Sequence, residues 1–172
     1  MRCIFFFIAA TLMLINSSSI FAQPDIPSGW QTPIKSDYSV EDQLWFKGHF
    51  PNKANGDFNG DRIDDVAWLL VNGPRTKWSL FVAVSNAKNG HNVITLDEGD
   101  MVDGTLNIGI SLTGPGTYQT ACGKGYWDCD KKVSAKLHLT LPGIDLFQFE
   151  SSNSIYYWDK RSNAFMQVWM SD

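Results

Sequence analysis

The sequence has few of the residues from which catalytic and metal centres are built. It contains three histidines and three cysteines in 172 residues, and no two histidines stand at the spacing of zinc ligands. It has no H-E-x-x-H motif and no phosphate-binding Walker loop. The segment GISLT, residues 109–113, lacks the second glycine of a nucleophile elbow. With no catalytic constellation, we expect a protein that is not an enzyme.

The sequence also lacks an excess of positive charge. Its formal net charge is -4, whereas a nucleic-acid partner requires a basic footprint on the protein. We therefore expect no nucleic-acid partner. The chain is long enough for one globular domain with a substantial hydrophobic core.

The N-terminal segment predicts export. Arg2 precedes an apolar run over residues 4–15 that is too short to span a bilayer comfortably, and the small residue Ala22 follows it. Residues 1–22 are expected to be a signal peptide that is cut after Ala22, with an uncleaved N-terminal anchor as the alternative. We therefore expect a periplasmic or secreted protein with no transmembrane segment after cleavage.

The cysteines favour the same compartment. After removal of residues 1–22, Cys122 and Cys129 remain, and two cysteines in an oxidising compartment predict one disulfide. Such a bond closes a short loop and contributes roughly 2.5 kcal/mol in the loop-entropy model. The alternative is half of a zinc site, for which no paired histidine ligands are available.

Short apolar segments separated by turn residues predict an all-β fold. Residues 23–37 are expected to be an extended lead-in and residues 38–172 a single antiparallel sheet domain, either a sandwich or a partial propeller. The only helical candidate is residues 39–46, with Ser39 as N-cap. The expected strands are residues 66–72, 77–84, 93–97, 105–112, 133–141, 144–150, 154–159 and 164–170.

Oxygen-bearing side chains recur at every second position just before the first of the long strands. They are Asp57, Asn59, Asp61 and Asp65, with Ile63 where a backbone carbonyl would serve. Ca²⁺ takes six to eight oxygen ligands, and a tight loop with ligands at alternate positions supplies them. These five residues are therefore expected to bind one Ca²⁺, with a metal-free Asx-turn as the alternative.

The same segment, residues 57–71, resembles the calcium loop of integrin-type propeller repeats (FG-GAP, also called VCBS). Two positions depart from calcium-loop patterns. Arg62 occupies the sixth place, where glycine is usual, and no glutamate stands at the twelfth, which excludes an EF-hand. The chain is too short for a full propeller, so the resemblance implies a single calcium loop in a small β domain.

A glycine-rich stretch, residues 104–129, favours binding to a protein partner. It contains Pro115, it ends at the expected disulfide, and its aromatic residues are of the types that anchor interfaces. An alternative is that the two aromatics next to Cys129 only cover the disulfide. The candidate partner-binding residues are Ser111, Thr113, Tyr118, Tyr126 and Trp127.

In size and export, the chain is similar in format to the periplasmic immunity proteins and enzyme inhibitors of Gram-negative bacteria. That similarity implies a protein partner, possibly a peptidoglycan-degrading enzyme. Two other classes stay open: a protein that binds or hydrolyses envelope glycans, and a structural or adhesive envelope protein.

Overall fold

The computed structural model describes residues 24–46, 48–86, 90–129 and 133–172. The expected signal peptide, residues 1–22, lies outside the described residues. One short α-helix, α1 (Val40–Gln43), precedes most of the strands. The strands are β1 (Trp30–Gln31), β2 (Lys53–Gly56), β3 (Asp65–Asn72), β4 (Lys77–Ser85), β5 (His91–Asp100), β6 (Ile108–Thr113), β7 (Gly116–Gln119), β8 (Lys136–Leu139), β9 (Gly143–Gln148), β10 (Asn153–Asp159) and β11 (Ala164–Ser171).

The strands form two main antiparallel sheets and a separate hairpin. The first sheet has the order β1-β3-β4-β5, and β2 pairs with the other half of the same edge of β3. The second sheet has the order β11-β10-β9-β6, and β7 pairs with β8. The predicted all-β class with one short helix is confirmed.

The central strand β3 is buried on both of its faces. Ala67, Leu69 and Val71 point into the main core, whereas Trp68 and Leu70 belong to a separate cluster on the opposite face. Burial on both sides explains why this segment is a continuous apolar run and does not alternate.

The two sheets enclose the main core between them. From the second sheet, Ile108 and Ile110 of β6, Ile144 and Leu146 of β9 and Tyr156 of β10 join the residues of β3 and β4 in one buried cluster. Of the two architectures considered from the sequence, the structure is therefore the sandwich. No helix in the described ranges is long and apolar enough to cross a membrane.

The structure differs from the sequence-based expectation in the short elements. The helix expected over residues 39–46 is α1 followed by a 3₁₀ turn, Leu44–Phe46, and its N-cap is Ser39, whose hydroxyl accepts the Asp42 N–H at 3.0 Å. Strand β8 covers four residues of the nine expected. Strands β1, β2 and β7 were not expected at all, because segments of two to four residues carry too few side chains to show a period.

Candidate functional site

The acidic segment forms the loop between β2 and β3 and is anchored in the core. Phe58 is fully buried in the main cluster and meets Phe165 of β11 edge to face, with ring centroids 6.4 Å apart. The loop is therefore held to the second sheet as well as to the first, to which its two flanking strands belong.

Asp65, the first residue of β3, ties this loop to β4. Its side chain is fully buried, and its Oδ2 accepts hydrogen bonds from the backbone N–H groups of Phe58 and Asn59 at 2.9 and 3.3 Å. Its Oδ1 accepts from the backbone N–H and the hydroxyl of Ser85 at 2.8 and 2.9 Å. Burial raises the pKa of Asp65 despite these four bonds.

Asp57 folds the loop back onto its own backbone. Its Oδ1 accepts from the N–H groups of Gly60 and Asp61 at 2.6 and 3.1 Å, and its Oδ2 accepts from that of Arg62 at 2.9 Å. Arg62 has a φ of 72°, in the left-handed region where a side chain is strained. The loop thus has the positive φ that calcium loops usually obtain from a glycine at this place.

Asp61 joins the loop to the end of β4. Its Oδ1 accepts the Ile63 N–H at 2.8 Å, and its Oδ2 accepts the Ser85 hydroxyl at 2.6 Å and the Asn59 amide at 3.1 Å. Partial burial opposes ionisation of Asp61, but its pKa is lowered overall. The lowering comes from the hydrogen bonds that it accepts from Ser85, Ile63 and Asn59 and from the charge of His91. Asp61 therefore favours the ionised form that a cation requires.

The hydrogen bonds limit which of the expected ligands are free to hold a cation. A carboxylate has about four acceptor positions and an amide oxygen two. Asp57 and Asp61 each accept three bonds and Asn59 accepts one, whereas Asp65 accepts three backbone N–H groups and shares the single proton of the Ser85 hydroxyl with Asp61. One position remains on each of Asp57, Asn59 and Asp61, and these would be joined by the Ile63 carbonyl. Four oxygens are fewer than Ca²⁺ takes, so water would complete the shell.

Asp65 accordingly serves as a structural hub in this arrangement. Across the described ranges, no three His, Cys, Asp or Glu side chains are grouped so that they could hold a metal ion. In this loop Asp65 turns to Ser85, which leaves two carboxylates, Asp57 and Asp61. Calcium binding stays a prediction.

The disulfide expected from the sequence is present between Cys122 and Cys129. We call residues 122–129 the stapled loop. It is docked on the edge strand β11, because the Ala121 N–H donates to the carbonyl of Trp169 at 2.9 Å and the Lys124 ammonium donates to that of Met170 at 2.6 Å. The loop is thus fixed at its base as well as by the covalent bond.

Two of the candidate anchors lie on the stapled loop and are well exposed. Tyr126 is 53% exposed and Trp127 42%, with ring centroids 6.4 Å apart. Trp169 of β11 is 46% exposed and lies on the adjoining segment, because Ala121 bonds the backbones of both Tyr126 and Trp169. We call Tyr126, Trp127 and Trp169 the aromatic patch. About half of each side chain is therefore exposed to a partner, including the two that lie next to the disulfide.

The other three candidate residues lie elsewhere, around Asp145 of β9. Ser111 and Thr113 are two residues apart on β6, and Ser111 pairs with Asp145 in the β6–β9 ladder. Thr113 and Tyr118 line a pocket with Asp145, and the Tyr118 hydroxyl donates to the Gly114 carbonyl at 2.8 Å. Tyr118 is half-buried and therefore offers less surface to a protein partner than the aromatic patch does.

The sequence analysis did not identify an aromatic groove that is lined by residues of both β6 and β9. The groove has a volume of about 570 Å³, and its residues come from segments far apart in the chain. Trp45 and Phe50 expose 48% and 37% of their surface beside it. The groove residues used below are Trp45, His49, Phe50, Gln148 and Glu150. In the sequence, the one indication of this groove was the cluster of aromatic residues within 45–50.

No protein-family model, curated protein or solved structure matches this chain. The resemblance of residues 57–71 to an integrin-type calcium loop therefore rests on those residues alone, and function has to be argued from the surfaces described above.

Proposed function

We propose that this protein is an exported, non-catalytic β domain that acts by binding another protein, an enzyme that degrades the cell envelope. The observation that supports this most is the aromatic patch, in which three exposed Tyr and Trp side chains lie on a stapled loop and its supporting strand. Tyr and Trp are the residues most enriched among those that dominate protein interfaces.

The stapled loop suits a recognition role because it is already ordered. Ordering a mobile loop on binding lowers affinity by roughly 0.5–1.5 kcal/mol for each immobilised side chain. The disulfide, together with the backbone bond from Ala121 to Trp169, removes much of that loss in advance. A rigid sandwich that presents such a loop has the design of an inhibitor.

Export is part of the same proposal. Disulfides persist in oxidising compartments and are rare in the reducing cytosol. The Cys122–Cys129 bond therefore favours a periplasmic or secreted location, in agreement with the signal peptide expected at residues 1–22. An inhibitor in that location meets envelope-degrading enzymes directly.

The test is a pull-down from envelope extracts with single-residue variants. Trp127→Ala should lose the bound enzyme, because truncating an interface anchor costs about 2 kcal/mol or more, roughly thirtyfold in affinity. Tyr126→Ala should weaken binding in the same direction. Trp45→Ala is the matched control, since Trp45 is equally exposed but lies in the groove.

Two outcomes would contradict the proposal. Equal recovery of the enzyme with wild type, Trp127→Ala and Tyr126→Ala would place recognition on another surface. Turnover of peptidoglycan by the purified protein, lost in Asp61→Ala without unfolding, would make it an enzyme. All variants should first be shown to melt within a few degrees of wild type.

Calcium stabilisation of the acidic loop belongs to the proposal. Asp57, Asn59, Asp61 and the Ile63 carbonyl would contact one Ca²⁺, while Asp65 holds the loop in place. A metal that binds only the folded state adds about 2.7 kcal/mol of stability at a hundredfold excess over Kd. The melting temperature should therefore rise with calcium and fall in chelator.

Asp61→Ala should abolish the calcium-dependent change in melting temperature. The control is Asp64→Ala, since Asp64 is exposed and lies outside the alternating set. A wild-type protein that melts at one temperature in calcium and in chelator would leave the loop as a metal-free Asx-turn.

The aromatic groove favours a second candidate function, binding of an envelope glycan. Trp45 and Phe50 provide exposed ring faces, and His49, Gln148 and Glu150 provide polar groups beside them. Its volume of about 570 Å³ lies within the range of small-molecule sites. Trp45→Ala should release the protein from insoluble peptidoglycan, whereas Trp127→Ala should not; unaltered retention of Trp45→Ala would exclude the groove.

A further inference from the structure

A polar pocket between the β7–β8 hairpin and the outer face of the second sheet has no part in the functions proposed above. Its volume is about 450 Å³, within the range of small-molecule sites. Among its lining residues there is one carboxylate and one ammonium group, accompanied by hydroxyl and amide groups. The residues that matter are Thr113, Tyr118, Lys124, Asp145 and Asn153.

The Asp145 carboxylate is held in place by a chain of hydrogen bonds. Asn153 Nδ2 donates to its Oδ1 at 2.8 Å, and Ser111 lies opposite it in the β6–β9 pairing. Asn153 is itself fixed by two bonds with Ser171. Its Oδ1 accepts from the Ser171 hydroxyl at 2.7 Å, and its backbone N–H donates to the Ser171 hydroxyl oxygen at 3.0 Å. The bond from Asn153 takes one of about four acceptor positions, so the carboxylate can still take a cationic group.

The Lys124 ammonium is positioned by an independent set of contacts. Lys124 ends the 3₁₀ turn Cys122–Lys124 in the stapled loop, and its N–H bonds the carbonyls of Thr120 and Ala121. Its Nζ donates to the Met170 carbonyl at 2.6 Å. An ammonium has three N–H donors, so two remain for an anionic group.

The two charges face one pocket without pairing with each other. In residues 24–46, 48–86, 90–129 and 133–172 there is one ion pair, between Arg75 and Asp37. Asp145 and Lys124 are therefore farther apart than direct contact, and each is fixed by its own neighbours. A ligand with a single charge would satisfy one of them and leave the other as it is.

We infer that this pocket binds a small zwitterion, an α-amino acid or the ends of a short peptide, with its ammonium on Asp145 and its carboxylate on Lys124. Charge-assisted hydrogen bonds are about twice as strong as neutral ones. The hydroxyls of Thr113 and Tyr118 add neutral hydrogen-bonding groups to the wall. Lys124 belongs to the stapled loop that carries Tyr126 and Trp127, but the inference does not depend on partner binding.

The experiment is an NMR titration of the full-length mature protein with matched probes. L-alanine and glycylglycine carry both charges at two spacings, propionate lacks the amine, ethylamine lacks the carboxylate, and glucose is an uncharged polyol. At least one of the two zwitterions should bind at least tenfold more tightly than the other three compounds. The shifts should fall on Thr113, Tyr118 and Asn153.

Charge-removing variants assign the two ends of the ligand. Asp145→Asn should bind the preferred zwitterion no better than propionate, and Lys124→Met should bind it no better than ethylamine. Lys77→Met, at an exposed lysine on β4, is the control and should bind as wild type does. Equal binding of propionate and the zwitterion to wild type, or no shift with any charged probe, would overturn the inference. Preference for glucose would make the pocket a polyol site instead.

Discussion

The substitution Asp65→Asn tests the role of the buried carboxylate most directly. An asparagine has nearly the same shape, so the change alters the hydrogen bonding and leaves the packing intact. The amide oxygen can accept two of the four donors that Asp65 satisfies, and the amide nitrogen then faces the other two donors. One or two buried N–H groups of Phe58, Asn59 or Ser85 would lose their acceptor, whereas the Ser85 hydroxyl can still donate to Asp61.

Two opposing contributions set the size of the effect. Each hydrogen bond to a charged group contributes about 1.5–3 kcal/mol, so one or two lost bonds would cost about 1.5–6 kcal/mol. The raised pKa of Asp65 shows that burial disfavours its charge, and a neutral side chain recovers part of that unfavourable term. We expect a net loss of about 2–4 kcal/mol in the free energy of unfolding.

The measurement is guanidinium unfolding in the presence of a chelator, so that bound metal contributes nothing. Ser85→Ala should show a smaller loss, because it removes the hydroxyl but keeps the backbone N–H that bonds Asp65. Asp64→Asn, at the exposed neighbour, is the control. A free energy for Asp65→Asn within 0.5 kcal/mol or so of wild type would refute the hub reasoning, since surface substitutions give changes of that size.

Three further predictions concern the staple, the loop strain and pH. Replacing Cys122 and Cys129 by Ser should lower stability by about 2.5 kcal/mol in denaturant unfolding, and thiol titration of the unfolded wild type should find no free thiol. Arg62→Gly should raise the free energy of unfolding by about 1 kcal/mol by relieving the left-handed backbone, whereas Arg62→Ala should not. Burial raises the pKa of Asp145, so the folded protein binds a proton on this carboxyl more readily than the unfolded chain does. The stability that this proton provides is present at acid pH and is lost as the pH rises through the folded pKa. Asp145→Asn should therefore melt above wild type at pH 8, and this difference should shrink toward pH 4; a constant difference would contradict the assignment.

The long strands and the disulfide were predictable because their signals are local. Leu137 and Leu139 alternate with polar residues, and in β8 they point inward as that pattern requires. The apolar run at the start of residues 66–72 identified a strand without showing why it is buried on both faces. Cys122 and Cys129 are close in sequence, so their pairing needed no knowledge of the fold.

The remaining features depend on residues that are distant in sequence. The acidic loop was visible as a pattern, but the role of Asp65 was not, because its partner Ser85 lies at the end of β4. The partners of Lys124 and Asp145, and the fact that these two charges share a pocket, depend on how β11 and the hairpin pack on the second sheet.

The amino-acid sequence by itself determined the all-β class, the main strands, the stapled loop and the turn-forming acidic loop, because each is encoded by neighbouring side chains. The tertiary structure decided which carboxylate is buried, which aromatics remain exposed and which two charges share a pocket. Those outcomes depend on the pairing order of the strands and on the burial that follows from it. A period of two residues specifies the face on which a side chain lies, but it carries no information about what that face will meet.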